Sequence, residues 1–438
     1  MNKFPSRMTT GALLLLSTLF IGMGIFENGG LFSIFALTWM MLGFTALIVA
    51  ALGYLQKIRL TISAPSEQML IGALLFFLYI TMFRLPGAFI EEGSDFPQTF
   101  FILQTILIVI LCCVFFFIPH PPALLKQSAL LLSILVAILL RIWILSASPA
   151  PQIDVFAAAT TAAMKLLRGV NPYTLNTTGI AAYYYPPTNI YLHTLSYAAV
   201  GDTRAIYVLA ESVFAACLFL GARRSMGSVN SLLLASLFLF QPRSLNTLEL
   251  AWTEPPILAF LGLSLFSLQR GWGSATAAAY GLMISLKQYL IFFAFHYFLL
   301  EKKWGRFALM IAIGFITTIP FLIWDAGLLI NHGFLETLRG GIRTDSLTFV
   351  TLLYQTTGLV LPRMTSFIVG LIASILTFFA FQKSPPVAAF LFASSITTFA
   401  LFLFGAQAFA NYYYIVSGLV LLLIAYHADR QSAPSHSA

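Results

Sequence analysis

Charge is what this chain has least of. Lys plus Arg number 23 and Asp plus Glu 15 among 438 residues, so charged side chains make up 9%, against about 25% in an ordinary soluble domain. So few charges cannot cover a water-facing surface, which excludes a soluble globular enzyme. Disorder is excluded too, because hydrophobic residues make up 59% of the chain and disordered segments are poor in them. The three cysteines, Cys112, Cys113 and Cys217, are too few for a disulfide scaffold and have no metal-ligand spacing. All fall in apolar runs and read as small apolar fillers. The net charge of +8 is spread over the loops rather than along one face, which speaks against nucleic acid as a partner. There is no Pro/Ser linker, no run of like charge and no obvious internal repeat, so the paired-repeat signature of many transporters is missing. HExxH, DxD, Walker and GxGxxG patterns are also absent, which argues against a metal site and against a nucleotide-sugar donor.

What the chain does have is long apolar runs. They fall near 10–26, 31–54, 68–83, 98–118, 127–147, 203–222, 226–240, 255–268, 273–286, 288–300, 306–324, 364–382, 387–404 and 411–426. Solid runs of about 20 residues read as membrane helices, whereas a β-barrel shows short alternating segments. The fold class is therefore an all-α polytopic integral membrane protein, with about fourteen spans by this count. The first run follows Lys3 and Arg7 like a signal peptide, but the next begins almost at once with no small-residue cleavage pattern between, so it reads as an uncleaved span.

Positive charge in short loops sets the orientation. With the N-terminus in the cytoplasm, Lys57, Arg59, Lys126, Arg223, Arg224, Arg270, Lys302, Lys303, Arg306, Lys383 and Arg430 fall inside. Most acids fall outside, and Glu211 falls mid-span, where an acid is functional by default and His296 is a possible partner. The parity requires two segments not to cross: Pro187–Val200, read as an amphipathic helix lying on the outer surface, and Phe349–Leu361. It also makes Gly273–Leu300 a short hairpin with Lys287 near its outer tip. The long loops, Leu145 to Thr203 and Asp325 to Met364, are then both external, which is where function concentrates. Residues 431–438 form a short polar tail on the cytoplasmic side.

In the first long loop Asp154 begins a helix just beyond a span. A carboxylate there can simply cap the helix, or it can act as a general base at the water–lipid boundary. Asp154 is followed by Gly169-Val170-Asn171-Pro172-Tyr173 and then Tyr184-Tyr185-Pro186-Pro187. Downstream come Leu286-Lys287-Gln288-Tyr289, Arg343-Thr344-Asp345-Ser346 and Asn411-Tyr412-Tyr413. This order of motifs, over Trp143 to Tyr426, resembles the GT-C class of membrane glycosyltransferases, and within it glycosyltransferase family 87, the polyprenol-phosphate-mannose-dependent α-mannosyltransferases. One departure is that about four extra spans, within residues 1–124, precede the acidic loop. Residues 125–430 would be the GT-C-like transferase domain, and the role of 1–124 is open.

The resemblance implies a helical bundle with interfacial helices in the outer loops, a polyprenyl-phosphate-linked sugar donor, and a glycan or glycolipid acceptor. A departing lipid phosphate needs cations. The candidates are Lys287, Arg343, Arg339 and Arg243, each of which could instead be an interfacial or solvated charge. Glu254, Trp252, Tyr173, Tyr185, Tyr412, Asn411, Asp345 and His332 are candidates for acceptor and sugar contacts, although aromatic residues also belt any membrane protein at this depth. No cofactor is expected, but Asp154, Glu254 and Asp345 could meet around a divalent cation. The reading is inverting transfer of a sugar, mannose first, on the outer face, with Asp154 as the base. The alternatives are a lipid-linked-glycan flippase, which would place more charge mid-span, and an outer-face glycan polymerase or ligase.

Overall fold

The computed structural model describes residues 9–175, 182–339 and 341–427, so Arg430 and the tail 431–438 lie outside the described residues. Among these residues the chain is helical, with no strand beyond two isolated bridges, Thr9 with Thr61 and Leu31 with Ser346. Hydrocarbon offers no hydrogen bonds, so each apolar run must satisfy its own backbone, and the α-helix does that within one segment. The helices are α1 (Thr10–Glu27), α2 (Ile34–Tyr54), α3 (Glu67–Thr81), α4 (Phe96–Cys112), α5 (Ala123–Ala147), α6 (Asp154–Leu167), α7 (Pro187–Val200), α8 (Ala205–Leu239), α9 (Ser244–Glu249) and α10 (Glu254–Gln269). They continue as α11 (Gly273–Ile284), α12 (Ile291–Leu300), α13 (Trp304–Ile316), α14 (Ile319–Leu328), α15 (Glu336–Arg339), α16 (Phe349–Thr357), α17 (Met364–Phe381), α18 (Pro386–Leu403) and α19 (Ala410–His427). Thr9, Ser33, Ser66 and Thr348 cap α1, α2, α3 and α16 by accepting a backbone N–H three residues on, the role short hydroxyl side chains play at helix starts.

Among the described residues, seven helices are long and apolar enough to cross a membrane. An eighth results if α13 and Ile319–Leu335, bent by 56°, are one span. The expected count of about fourteen is therefore not established. Several apolar runs fold as shorter helices, such as α3, Gln288–Leu300 and Ala410–Tyr426. Two others, 203–222 and 226–240, belong to the single element α8, which breaks at Gly227 (φ 76°, ψ 170°). Only glycine adopts that backbone without strain. The two arms fold back on each other, since Phe214 and Phe238 rings stack edge-on with centroids 4.6 Å apart.

The helices sort by environment. α18 and α19 are almost wholly enclosed, while α4, α5 and α17 leave Leu, Ile and Phe side chains on the outside of the bundle, as lipid-facing helices do. α7 is inverted relative to a soluble amphipathic helix. Thr188, Asn189, His193 and Ser196 are buried, and Leu195 and Val200 are exposed. The expected polar side is turned into the protein, and Ile190 is buried with it. α1 and α2 pack on each other, and α1 packs on α19, so the N-terminal helices are part of the same bundle.

Glu211 does not meet His296. It is held by Arg141 and by the Tyr414 hydroxyl, and Arg141 also donates from Nη1 to the Ala137 carbonyl (3.0 Å) and from Nη2 to the Leu239 carbonyl (2.7 Å). His296 instead sits among Ser374, Thr377 and Ser394.

Candidate functional site

At one end of the bundle a cavity of about 840 Å³ is enclosed by the start of α6, the Tyr184–Tyr185 segment, the turn before α10, the α11–α12 tip, and the starts of α17 and α19. Of the residues singled out in the sequence, Asp154, Lys287, Arg343, Tyr185, Trp252, Asn411 and Tyr412 line it.

Lys287 owes its place to the hairpin. α11 ends at Ile284, Lys287 takes an extended conformation (φ −145°, ψ 149°), and a short 3₁₀ turn, Gln288–Leu290, leads into α12. Its side chain is only 4% exposed, which rules out snorkelling to an interface. The ammonium forms an ion pair with Glu254, the first residue of α10. It also lies 5.3, 5.7 and 4.9 Å from the ring centres of Tyr185, Tyr289 and Tyr412, cation–π distances. Glu254 accepts a second hydrogen bond from Asn411 Nδ2 (2.9 Å). The set is unfinished: Glu254 Oε2, Asn411 Oδ1 and the Tyr289 hydroxyl are buried with no hydrogen-bond partner among the described residues. Orphaned polar atoms of this kind call for an explanation such as a ligand or water.

Asp154 is the first residue of α6, with Ile153 in the cap position. Its Oδ1 accepts from the Val155 N–H (2.9 Å), and the side chain is exposed. It therefore sits at a helix start while remaining open to the cavity. Arg343 makes a two-pronged contact with Asp345, Nε–Oδ1 3.0 Å and Nη2–Oδ2 2.9 Å. That hydrogen bonding holds the Asp345 carboxyl below its ordinary range. It also holds Arg343 more firmly charged, with Asp345 the main cause and the Asp154 carboxylate contributing from farther away. Burial raises the Tyr184 phenol far above its ordinary range, and the charge of Asp154 adds to this.

The other candidates lie off the cavity. Tyr173 is fully buried, its N–H bonded to Asn171 Oδ1 (3.0 Å) and its hydroxyl donating to the Tyr185 carbonyl (2.7 Å). The Asn-Pro-Tyr motif thus locks the loop beneath Tyr185 and offers no stacking surface. Arg339 is exposed and reaches Asn331. His332 lies 4.0 Å from Glu336, which does line the cavity. Asp345 binds Arg343 outside the lining, and Glu254 lies behind Lys287. Arg243 sits in a different pocket. Asp154, Glu254 and Asp345 do not converge: among the described residues no three His, Cys, Asp or Glu side chains come together as a metal site would need.

Three contributors were not singled out from the sequence. Arg363, at the start of α17, lines the cavity and donates from Nε to the Gly341 carbonyl (2.8 Å). Its signal was available, a cation following Pro362 at the end of the second long loop. Gln288, inside a quoted motif, clamps the site by donating to the Tyr184 (3.0 Å) and Gly333 (2.7 Å) carbonyls. Gly29, Gly30 and Leu31, between α1 and α2, form part of the wall, and no local sequence signal marks them.

No protein-family model matches the chain, and no curated protein matches it. Among solved structures it is similar to ArnT from Cupriavidus metallidurans bound to undecaprenyl phosphate, at 17% identity and a TM-score of 0.44, over 69% of this chain and 60% of that one. It is similar to the apo state of the same protein at 16% identity and a TM-score of 0.41, over 71% of this chain and 59% of that one. The chain thus spans about three fifths of the length of the structures it resembles.

Proposed function

We propose that the chain is a membrane glycosyltransferase of the GT-C type that takes a sugar from a polyprenyl-phosphate donor. The observation that carries this reading is the meeting, in one cavity at the end of a membrane bundle, of an open carboxylate, Asp154, with three cations, Lys287, Arg343 and Arg363. An acceptor hydroxyl there attacks the anomeric carbon with inversion. The new bond to the acceptor oxygen forms as the bond to the donor phosphate oxygen breaks, and Asp154 takes the hydroxyl proton. The departing phosphate is met by the arginines, whose planar forks suit it, with Lys287 behind them. Tyr185, Tyr412 and Trp252 give the sugar an aromatic surface, and the free Oδ1 of Asn411 accepts one of its hydroxyls.

Mannose as the sugar, and family 87 as the branch, rest on the motif order alone. The assignment of this end to the outer leaflet, with both termini in the cytoplasm, rests on the Lys and Arg of the short loops. A flippase would need charged side chains along a crossing path, whereas the mid-bundle Arg141–Glu211–Tyr414 set is closed on itself and lines no part of the large cavity.

The test is Asp154→Asn in detergent-purified protein with a short-chain polyprenyl-phosphate mannose donor. The substitution keeps an oxygen for the Val155 N–H, so the fold should survive. Transfer should fall by roughly 10² to 10⁴, the usual contribution of a general base. Transfer at the parent rate by a normally folded variant would remove Asp154 from the mechanism.

A further inference from the structure

A second pocket, of about 40 Å³, opens between the end of α3, α4, α5 and the Gln241–Asn246 segment, and shares no lining residue with the large cavity. Several of its polar side chains are already occupied. Arg141 is taken by Glu211, and Gln104 exchanges hydrogen bonds with Thr81. Arg84 and Arg243 differ, because neither has a carboxylate within ion-pair distance among the described residues. Arg84 Nη2 donates to the Glu27 carbonyl (2.6 Å), and its guanidinium lies 5.4 Å from the Phe26 ring centre. Arg243 Nη1 donates to Asn246 Oδ1 (3.2 Å). Glu249, the acid near Arg243, is already held by the Ala88 and Phe89 N–H groups (2.6 and 2.7 Å) and by Asn246 Nδ2 (3.3 Å).

A third donor completes the pocket. Gln241 is 3% exposed, and its Nε2 has no hydrogen-bond partner among the described residues. The placement of Arg243 is built in. Its backbone is left-handed (φ 66°), a conformation few non-glycine residues adopt. Gly29 is tight against it, since a Cβ there would come within 2.3 Å of Arg243 Nη2. The volume suits about three water-sized groups, the number of terminal oxygens on a phosphate monoester. The surroundings are lipid-like, for Leu85 on the pocket's lining and its neighbour Phe83 are among the most exposed large apolar residues of the chain.

We propose that this pocket binds the phosphate headgroup of an anionic membrane lipid. Arg84, Arg243 and Gln241 Nε2 meet the phosphate oxygens, as arginine forks and neutral donors commonly do. The acyl chains lie over Leu85 and its neighbour Phe83. The site is independent of the transferase reading and would hold if that reading failed.

Native mass spectrometry of the full chain in detergent, with added dioleoyl phosphatidic acid or dioleoylglycerol, tests this. The parent should retain phosphatidic acid at least about tenfold over the neutral lipid, a preference that two charge-assisted contacts readily supply. Arg84→Gln/Arg243→Gln should lose that preference, and Gln241→Leu should weaken it. Arg343→Gln/Arg363→Gln, which strips the arginines of the large cavity, should keep it. Equal retention of the two lipids by the parent overturns the proposal. So does loss of the preference in the large-cavity variant alone, or displacement of the lipid by equimolar inorganic phosphate, which would mark a free-anion site. Gln241→Leu is the safeguard if the double arginine variant does not fold.

Discussion

Two buried sets of acid, cation and tyrosine occupy the same bundle and are finished differently. In the middle, Glu211, Arg141 and Tyr414 form a closed set: both carboxylate oxygens are bonded, and the guanidinium reaches two backbone carbonyls besides. At the cavity, Glu254, Lys287 and Tyr289 have the same ingredients. Yet one carboxylate oxygen and the tyrosine hydroxyl have no partner among the described residues, and the ammonium faces three rings. Composition alone does not separate structural charge from working charge in a membrane. What separates them is whether every polar atom is satisfied from within the protein, because an unsatisfied buried network is tolerated only where something else completes it.

The sharpest way to break the comparison is Arg141→Met. It leaves the Glu211 carboxylate buried with Tyr414 as its only side-chain partner, and should destabilise the protein by about 3–5 kcal/mol. Thermal unfolding in detergent reads this, and Arg141→Met/Glu211→Leu should recover most of the loss, since an apolar replacement of the whole pair is close to neutral. A single variant as stable as the parent would show the triad to be dispensable. Glu254→Gln should be milder, at roughly 1–3 kcal/mol, because water in the adjoining cavity can solvate the freed ammonium. Its larger effect should be on transfer, with stability and activity falling out of proportion. Proportional losses would put the two sets in the same class.

The smallest effect belongs to the cavity rim. Arg343 lowers the Asp345 pKa in the folded state, so this pair stabilises the fold above the ordinary carboxylate pKa and loses its contribution as pH falls through the lower folded value. Both side chains are about half exposed, so Asp345→Asn should cost less than about 1 kcal/mol at neutral pH. The difference from the parent should shrink with added salt and vanish in strong acid. A difference that persists at high salt and low pH would show that the cost does not come from the charge of the pair.

Much of this was legible in the sequence, for identifiable reasons. Apolar runs gave the helices, because lipid enforces them residue by residue. A hairpin with Lys287 at its tip followed from keeping Arg270 and Lys302 on one side. Seven of the chosen residues share the cavity because their motifs sit at helix starts on the same end of the bundle. Tyr173, Arg243, Arg339, His332 and Asp345 lie off it because a loop motif fixes where the backbone goes and not which way a side chain turns. Arg141 was passed over because its run stays apolar on average, and its partner lies 70 residues away. The span count of about fourteen is not established, because hydropathy cannot distinguish a crossing helix from a short one ending at a buried site.

The loop between α1 and α2 carries one more consequence. Gly30 lies so close to α19 that a Cβ would come within 2.6 Å of the Ala410 backbone nitrogen, and Leu31 bridges to Ser346 beside it. Ala410 immediately precedes Asn411 and Tyr412, so the N-terminal pair is joined to the strip that carries two cavity residues. For anyone recombining this protein, the unit of exchange is therefore not the contiguous N-terminal segment. A chimaera that imports a foreign α1–α2 pair must bring the matching start of α19 with it, or the cavity will lose one side.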